Sequence, residues 1–223
     1  MSEMMTRPPR RGRPPKAEGR NTRDRILDEA LEGFARHGYA GTSIRRIAQA
    51  VGIRESGIYS HFESKQAIFD ALFAEAGPTV VLNVLETGVD AAAGPATVVR
   101  QLVEGVVAVW DEPRARMFTS VLLREGGSAS TAAAIDPLAM IGQVQRGLGE
   151  VFGEWAKAGL IRDDFPPEHL VWELMAPIAM IRLLHLHASA TEDTRAAGRR
   201  LARAHVEYFL ECAHAAGAPG GRE

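Results

Sequence analysis

Apolar residues recur every three or four positions along most of this chain, the period of a helix buried on one face. The first run begins near Asn21 or Thr22, either of which can cap it. It carries Ile26, Leu27, Ala30, Leu31, Phe34 and Ala35 to a left-handed stop at Gly38. Thr42-Ser43 then opens a two-turn stripe of Ile44, Ile47, Ala48 and Val51 that ends at Gly52. Between Glu55 and Phe62, Ile58 and Phe62 sit four apart and face inward, which pushes Tyr59, Ser60 and His61 toward solvent. Ser64 caps a further helix with Ala67, Ile68, Ala71 and Leu72, which runs to about Ala76 before Pro78 interrupts it.

Beyond Pro78 only helical periodicity remains, broken at Gly94-Pro95, Glu112-Pro113, Gly126-Gly127-Ser128, Asp136-Pro137 and Phe165-Pro166-Pro167. The breaks predict helices over 79–92, 96–111, 114–125, 137–158, 167–188 and 193–215, with no strand pair. The fold class is all-α. A basic arm without regular structure (1–20) precedes a cluster of three helices plus a connecting fourth (21–76), a larger helical domain (77–216) and a loose tail (217–223). The arm holds four prolines and two glycines and almost nothing apolar to offset the entropy of ordering it.

Composition narrows the possibilities. No apolar run approaches the roughly 20 residues that cross a bilayer, and the N-terminus lacks a secretory h-region, so the expectation is a cytoplasmic protein with no membrane partner. A single cysteine, Cys212, excludes an internal disulfide framework and a cysteine zinc cluster. The net charge of −2 hides an asymmetry: residues 1–65 carry 13 Lys plus Arg against 8 Asp plus Glu, and the remainder carries 13 against 20. A basic third on an acidic body points to a polyanion at one end.

Two short helices joined through a glycine, with a polar outward face on the second, form the layout of a helix-turn-helix, whose second helix enters the major groove of DNA. An ordinary helical hairpin is the alternative. The run GYAGTSIRRIAQAVGIRESGIYSHFESKQAIF, from Gly38 to Phe69, goes further, and strongly resembles the DNA-binding domain of the TetR family of transcription regulators. The resemblance rests on Gly38-Tyr39, Thr42-Ser43, Ile47-Ala48, Val51-Gly52, Ile58-Tyr59, His61-Phe62 and Ser64-Lys65, and covers residues 21–76. It implies a homodimer on a double-stranded operator, no enzymatic activity and no cofactor.

It also implies contacts. Thr42, Ser43 and Arg45 stand at a helix N-terminus suited to a phosphate, and Tyr59, Ser60, His61 and Lys65 are placed for backbone phosphates. Many members of the family open the recognition helix with a serine, where this chain has Arg54, so Glu55 or Ser56 is expected to cap one residue later. Arg54 can read guanine and Glu55 can accept from cytosine, or the two form a solvated ion pair. Gly57 gives up about 1 kcal/mol of helix propensity relative to alanine and leaves room for close approach to DNA. In the arm, RGRPPK resembles an AT-hook, with Arg11 and Arg13 placed for a narrow minor groove. The alternative is a solvated basic tail.

For the second domain the resemblance implies an unidentified small-molecule effector. Trp110, Phe118, Leu122, Trp155, Trp172, Met175 and Met180 are the candidate pocket lining, and the sparse charge of 137–158 and 167–188 favours an apolar or amphipathic ligand. His185 and His187 are two apart and point about 200° from each other on a helix, so no metal site is expected there. Arg182, His185 or His187 could anchor a polar group of the effector, or lie at an interface. Val171, Leu174, Met175, Ile178 and Ile181, with Leu201, Val206, Phe209 and Leu210, are the expected dimer elements. An architectural DNA-binding protein, or a carrier or enzyme, remain the rival readings.

Overall fold

Glycine and proline set nearly every boundary of the fold. The computed structural model describes residues 16–90, 93–125 and 137–214, and every regular element among them is an α-helix. In chain order these are α1 (Lys16–Gly41), α2 (Ile44–Val51), α3 (Glu55–Tyr59), α4 (Lys65–Ala76), α5 (Val80–Thr87), α6 (Pro95–Trp110), α7 (Pro113–Glu125), α8 (Pro137–Lys157), α9 (Pro167–His185) and α10 (Glu192–Ala213). Arg11, Arg13 and the tail 217–223 lie outside the described residues. No single helix among those described is long and apolar enough to cross a membrane. The pair α4 and α5 passes that test only together, bent by 47°.

The helices depart from expectation at their ends. α1 begins at Lys16, so Asn21 and Thr22 lie inside it rather than at its start. Ala17, Glu18 and Arg20 favour a helix, and Gly19 opposes it by only about 1 kcal/mol. Gly38, at φ 75° and ψ 166°, bends α1 before its last turn. α5 stops at Thr87 rather than 92, with Gly88 as its C-cap. α9 continues through Pro177, and His205 of α10 reaches the carbonyl of Leu174 beside it, at 3.1 Å.

Two apolar cores result. The head core packs Leu27, Leu31 and Phe34 of α1 against Ile47, Val51, Ile58, Phe62, Ile68 and Leu72. It also takes Ala115, Phe118 and Val121 from α7, so a division of the chain at position 76 leaves part of this core on the other side. Phe118 lies 5.8 Å from the ring of Phe69 and 5.7 Å from that of Phe73. Arg114 of α7 pairs with Asp28 and Glu75, both at 3.1 Å, and Arg124 donates to the carbonyls of Ala35 and Arg36. The body core joins α5, α6, α8, α9 and α10 around Leu102, Val106, Leu148, Phe152, Leu174 and Val206.

The packing spreads the expected pocket lining over both cores and the surface. Trp110 and Phe118 are buried in separate cores, Leu122 packs on the head, and Trp155 and Met175 pack on the body. Trp172 and Met180 are each 54% exposed. A groove of about 450 Å³ between α6 and α10 is walled by Val103, Val107, Ala202 and Val206.

Most of the expected dimer residues face the protomer's own core, and Leu201 stays outside. Val171, Leu174, Ile178, Ile181, Val206 and Phe209 are buried within the protomer, and Met175 and Leu210 pack against the same core. The large apolar side chains left outside on α9 and α10 are Trp172, Met180, Leu184, Leu201 and Tyr208. Both helices carry two apolar stripes, and spacing alone does not say which one meets the protein's own core.

Phe118→Ala tests the packing role. Removing a buried ring from the seam between α7 and the head should cost about 3–5 kcal/mol in denaturant unfolding. A loss below about 1 kcal/mol would return Phe118 to a pocket wall.

Candidate nucleic-acid interface

The turn between α2 and α3 is built from backbone closure around one glycine. Ser43 caps α2, its hydroxyl accepting from Arg46 N–H at 3.2 Å. Gly52 takes φ 76°, and the N–H of Ile53 reaches back to Ala48 O at 2.9 Å, so two of the last carbonyls of α2 are met within the turn. Arg25 Nη2 meets the carbonyl of Val51 at 2.5 Å and fixes α2 to α1.

α3 begins where the sequence does not signal it. Arg54 holds the cap position without a side-chain hydrogen bond, so neither Glu55 nor Ser56 caps, and the expected shift of one residue does not occur. The N–H of Gly57 bonds Arg54 O at 2.8 Å, and Ile58, fully buried, anchors the helix. Arg54, Glu55, Ser56, Tyr59 and Ser60 are exposed and His61 is half-buried. Tyr59, at 54% exposure, is not packed into the domain. Ser60 gives its hydroxyl proton to Gly57 O at 2.8 Å. At Gly57 a Cβ would lie 3.3 Å from Cδ1 of Ile53, a tight contact that a small shift of the Ile53 side-chain tip relieves.

Two expected phosphate contacts turn inward. Thr42 is buried, and its hydroxyl donates to Gly38 O at 2.8 Å, spanning the bend of α1. Its methyl occupies the space above Gly33, where a Cβ would stand 2.8 Å away, a constraint with no counterpart in the local sequence. Lys65 donates to the carbonyls of Tyr39 and Thr42 at 2.7 and 2.8 Å, and its ammonium lies 4.1 Å from the centre of the Tyr39 ring. Burial holds the Lys65 pKa below the ordinary lysine value. Tyr39 in turn donates to Gln66 at 2.8 Å, and its pKa is raised by burial and then by Asp70. Lys65 is therefore a staple between α4 and the end of α1, because the residues it meets lie more than twenty positions upstream.

Arg45 remains exposed near the start of α2. Arg46, also exposed, which the sequence reading passed over, donates to Gly41 O at 3.2 Å and still presents charge to solvent. The structure thus brings Ser43, Arg45 and Arg46 of the α2 start together with Arg54, Glu55, Ser56 and Tyr59 of α3 on one helix pair, and leaves Thr42 and Lys65 out. Cationic side chains, a tyrosine hydroxyl and mixed donors on a short helix suit phosphate contacts and base-edge readout.

A buried turn under an exposed short helix, mounted on an all-helical body, defines a helix-turn-helix protein. Residues 26–72 match the family described as "Bacterial regulatory proteins, tetR family". The HTH-type transcriptional repressor AcnR of Corynebacterium efficiens is 38% identical over 68 residues, 30% of this chain and 36% of that protein. The HTH-type transcriptional regulator AcrR of Shigella flexneri is 28% identical over 134 residues, 60% of each chain. The chain thus spans from about a third to three-fifths of the length of these two relatives. Among solved structures, Salmonella enterica GusR shares the fold with a TM-score of 0.62 at 21% identity, over 86% of this chain and 94% of that one. Residues 26–72 thus match the DNA-binding segment of that family, and the named relatives are transcriptional regulators.

The two kinds of cation predict opposite phenotypes. Lys65→Met should lower stability by about 1–3 kcal/mol, because it strands two carbonyls. Arg45→Ala should leave the melting temperature unchanged, weaken binding to all duplexes alike and reduce the salt slope by about one. Melting curves and a salt series of binding check both, and a reversal of the two phenotypes would contradict the assignment.

Proposed function

We propose that this protein is a one-component transcriptional repressor of the cytoplasm that binds a two-fold operator as a homodimer and releases it when a small effector enters the helical body. The observation that carries this reading is the division of labour in the head. Thr42, Lys65 and Arg25 serve internal contacts, while Arg54, Glu55, Ser56 and Tyr59 stay exposed at the short helix of a helix-turn-helix. The repressor sign is taken from AcnR, whose name states it. Residues 11–16 of the arm would add a contact in the adjoining minor groove.

Homodimerisation follows from the apolar side chains left on α9 and α10. Trp172, Met180, Leu184, Leu201 and Tyr208 are 49% to 66% exposed in the protomer, and large exposed apolar side chains gathered on two helices suit a protein–protein contact. Pairing α9 and α10 with their symmetry mates makes a four-helix interface about a two-fold axis, and sets two α3 helices for half-sites about 34 Å apart. An effector that binds the DNA-bound and released forms equally would do nothing, so release depends on differential affinity.

Selection from a pool of genomic fragments tests the whole reading. The chain should enrich an inverted repeat and bind it at least about 10³-fold more tightly than scrambled duplex at physiological salt. A Leu184→Asp, Tyr208→Asp variant should sediment as a folded monomer and lose that preference. No enrichment over scrambled duplex would overturn operator-specific regulation.

A further inference from the structure

Among the described residues Arg182 is the one lysine or arginine in the buried interior, and it forms no ion pair there. It extends from α9 into the seam between body and head. Its Nε donates to Thr119 Oγ1 at 3.0 Å, its Nη2 donates to Ala76 O at 2.6 Å, and its guanidinium lies 4.5 Å from the centre of the Trp110 ring. Its Nη1 has no partner among the described residues. Burial lowers its pKa to about 10, which leaves it a cation at neutral pH.

A second group on the same stack is also incomplete. Trp110 is 3% exposed, and its indole N–H is buried with no acceptor. A buried donor without a partner and a buried cation without a counter-ion are both costly, and both ask for the same remedy. Thr119 cannot supply it, because it already accepts from Arg182 and gives its own proton to Ala115 O at 3.0 Å. What this spot lacks is an acceptor with negative charge. A carboxylate has two oxygens, one to accept from the free Nη1 of Arg182 and one to accept from the indole N–H of Trp110.

We propose that Arg182 and Trp110 anchor the carboxylate of an anionic effector, an inference that rests on the effector-released repressor described above and gives its ligand a chemical class. The consequence for DNA binding is direct. Ala76 is the last residue of α4, and the helix ends there because Pro78 follows and α5 leaves at an angle. Its carbonyl belongs to the negative end of the α4 dipole, and Arg182 is the cation that meets it across the seam. A carboxylate on Arg182 neutralises that cation and adds a negative charge near the same carbonyl. The bond between body and head weakens when the ligand arrives, and the state that keeps it is the one free of ligand.

The test uses the full chain with Trp155→Phe and Trp172→Phe, so that Trp110 is the only tryptophan, and hexanoate, 1-hexanol and hexylamine as probes. Hexanoate should give a saturable change in Trp110 emission at millimolar concentration, and calorimetry on the unmodified chain should return the same dissociation constant. The alcohol and the amine should give none. Arg182→Met should raise the hexanoate dissociation constant by at least about tenfold, with Arg182→Lys between it and the parent. Trp110→Phe, read by calorimetry, keeps the ring and removes the donor, and should also weaken binding. A response to hexanol equal to that to hexanoate, no saturable response, or an Arg182→Met chain that binds unchanged would each overturn the anchor. Enrichment of an operator by the ligand-free chain does not depend on this result, so the anchor can fail while the repressor reading stands.

Discussion

The last carbonyls of a helix lack intrahelical partners, and here side chains from elsewhere in the chain meet several of them with positive charge. Arg25 of α1 caps α2 at Val51, Lys65 of α4 closes the end of α1, and Arg124 of α7 reaches Ala35 and Arg36. Arg182 of α9 caps α4 at Ala76, and Arg162 reaches the carbonyl of Cys212 at the end of α10. Each bond satisfies an orphan acceptor and opposes the negative end of a helix dipole. Each also joins elements far apart in sequence, so the arrangement of the helices and the termination of each one are a single constraint. The chain has few bulky aromatic residues, 6% of the total, and holds its short helices in place partly through these charged caps.

The seam between head and body depends on this device most. α7 contributes Phe118 to the head core, and the polar links include Arg114 to Asp28 and Glu75, Arg124 to α1, and Arg182 to Ala76. A seam held by polar bonds can be altered by a charged ligand without unpacking a core. α9 carries Arg182 toward the seam, and Trp172, Met180 and Leu184 on the same helix stay exposed to solvent. One helix therefore connects the surface proposed to meet a second copy with the cap that holds the DNA-reading head.

The helices themselves were legible because their signals are local. Ser43 and Ser64 cap with their own hydroxyls, Gly52 turns left-handed, and proline opens α6 to α9. The identity of α2 and α3 as a helix-turn-helix was legible for the same reason. The side-chain roles were less so. Thr42 and Lys65 read as phosphate contacts, but their partners are carbonyls placed by the bend at Gly38, and no spacing rule shows that bend folding back on α4. Trp172 and Leu174 are two residues apart on α9, one exposed and one buried, and only the positions of α8 and α10 decide which is which. Arginine's dominance over lysine, 23 to 3, reads as composition in the sequence and as capping in the structure.

Amide hydrogen exchange on the ligand-free chain and its Arg182→Lys and Arg182→Met variants tests the capping of α4 across the seam most directly. The account predicts faster exchange in the last turn of α4 and the first of α5, where Gly77, Val80 and Val81 are bonded, graded from Lys to Met. The amides of α2 and α3 should keep their protection. Unchanged exchange at the end of α4 in Arg182→Met would contradict the claim that this arginine holds the head to the body.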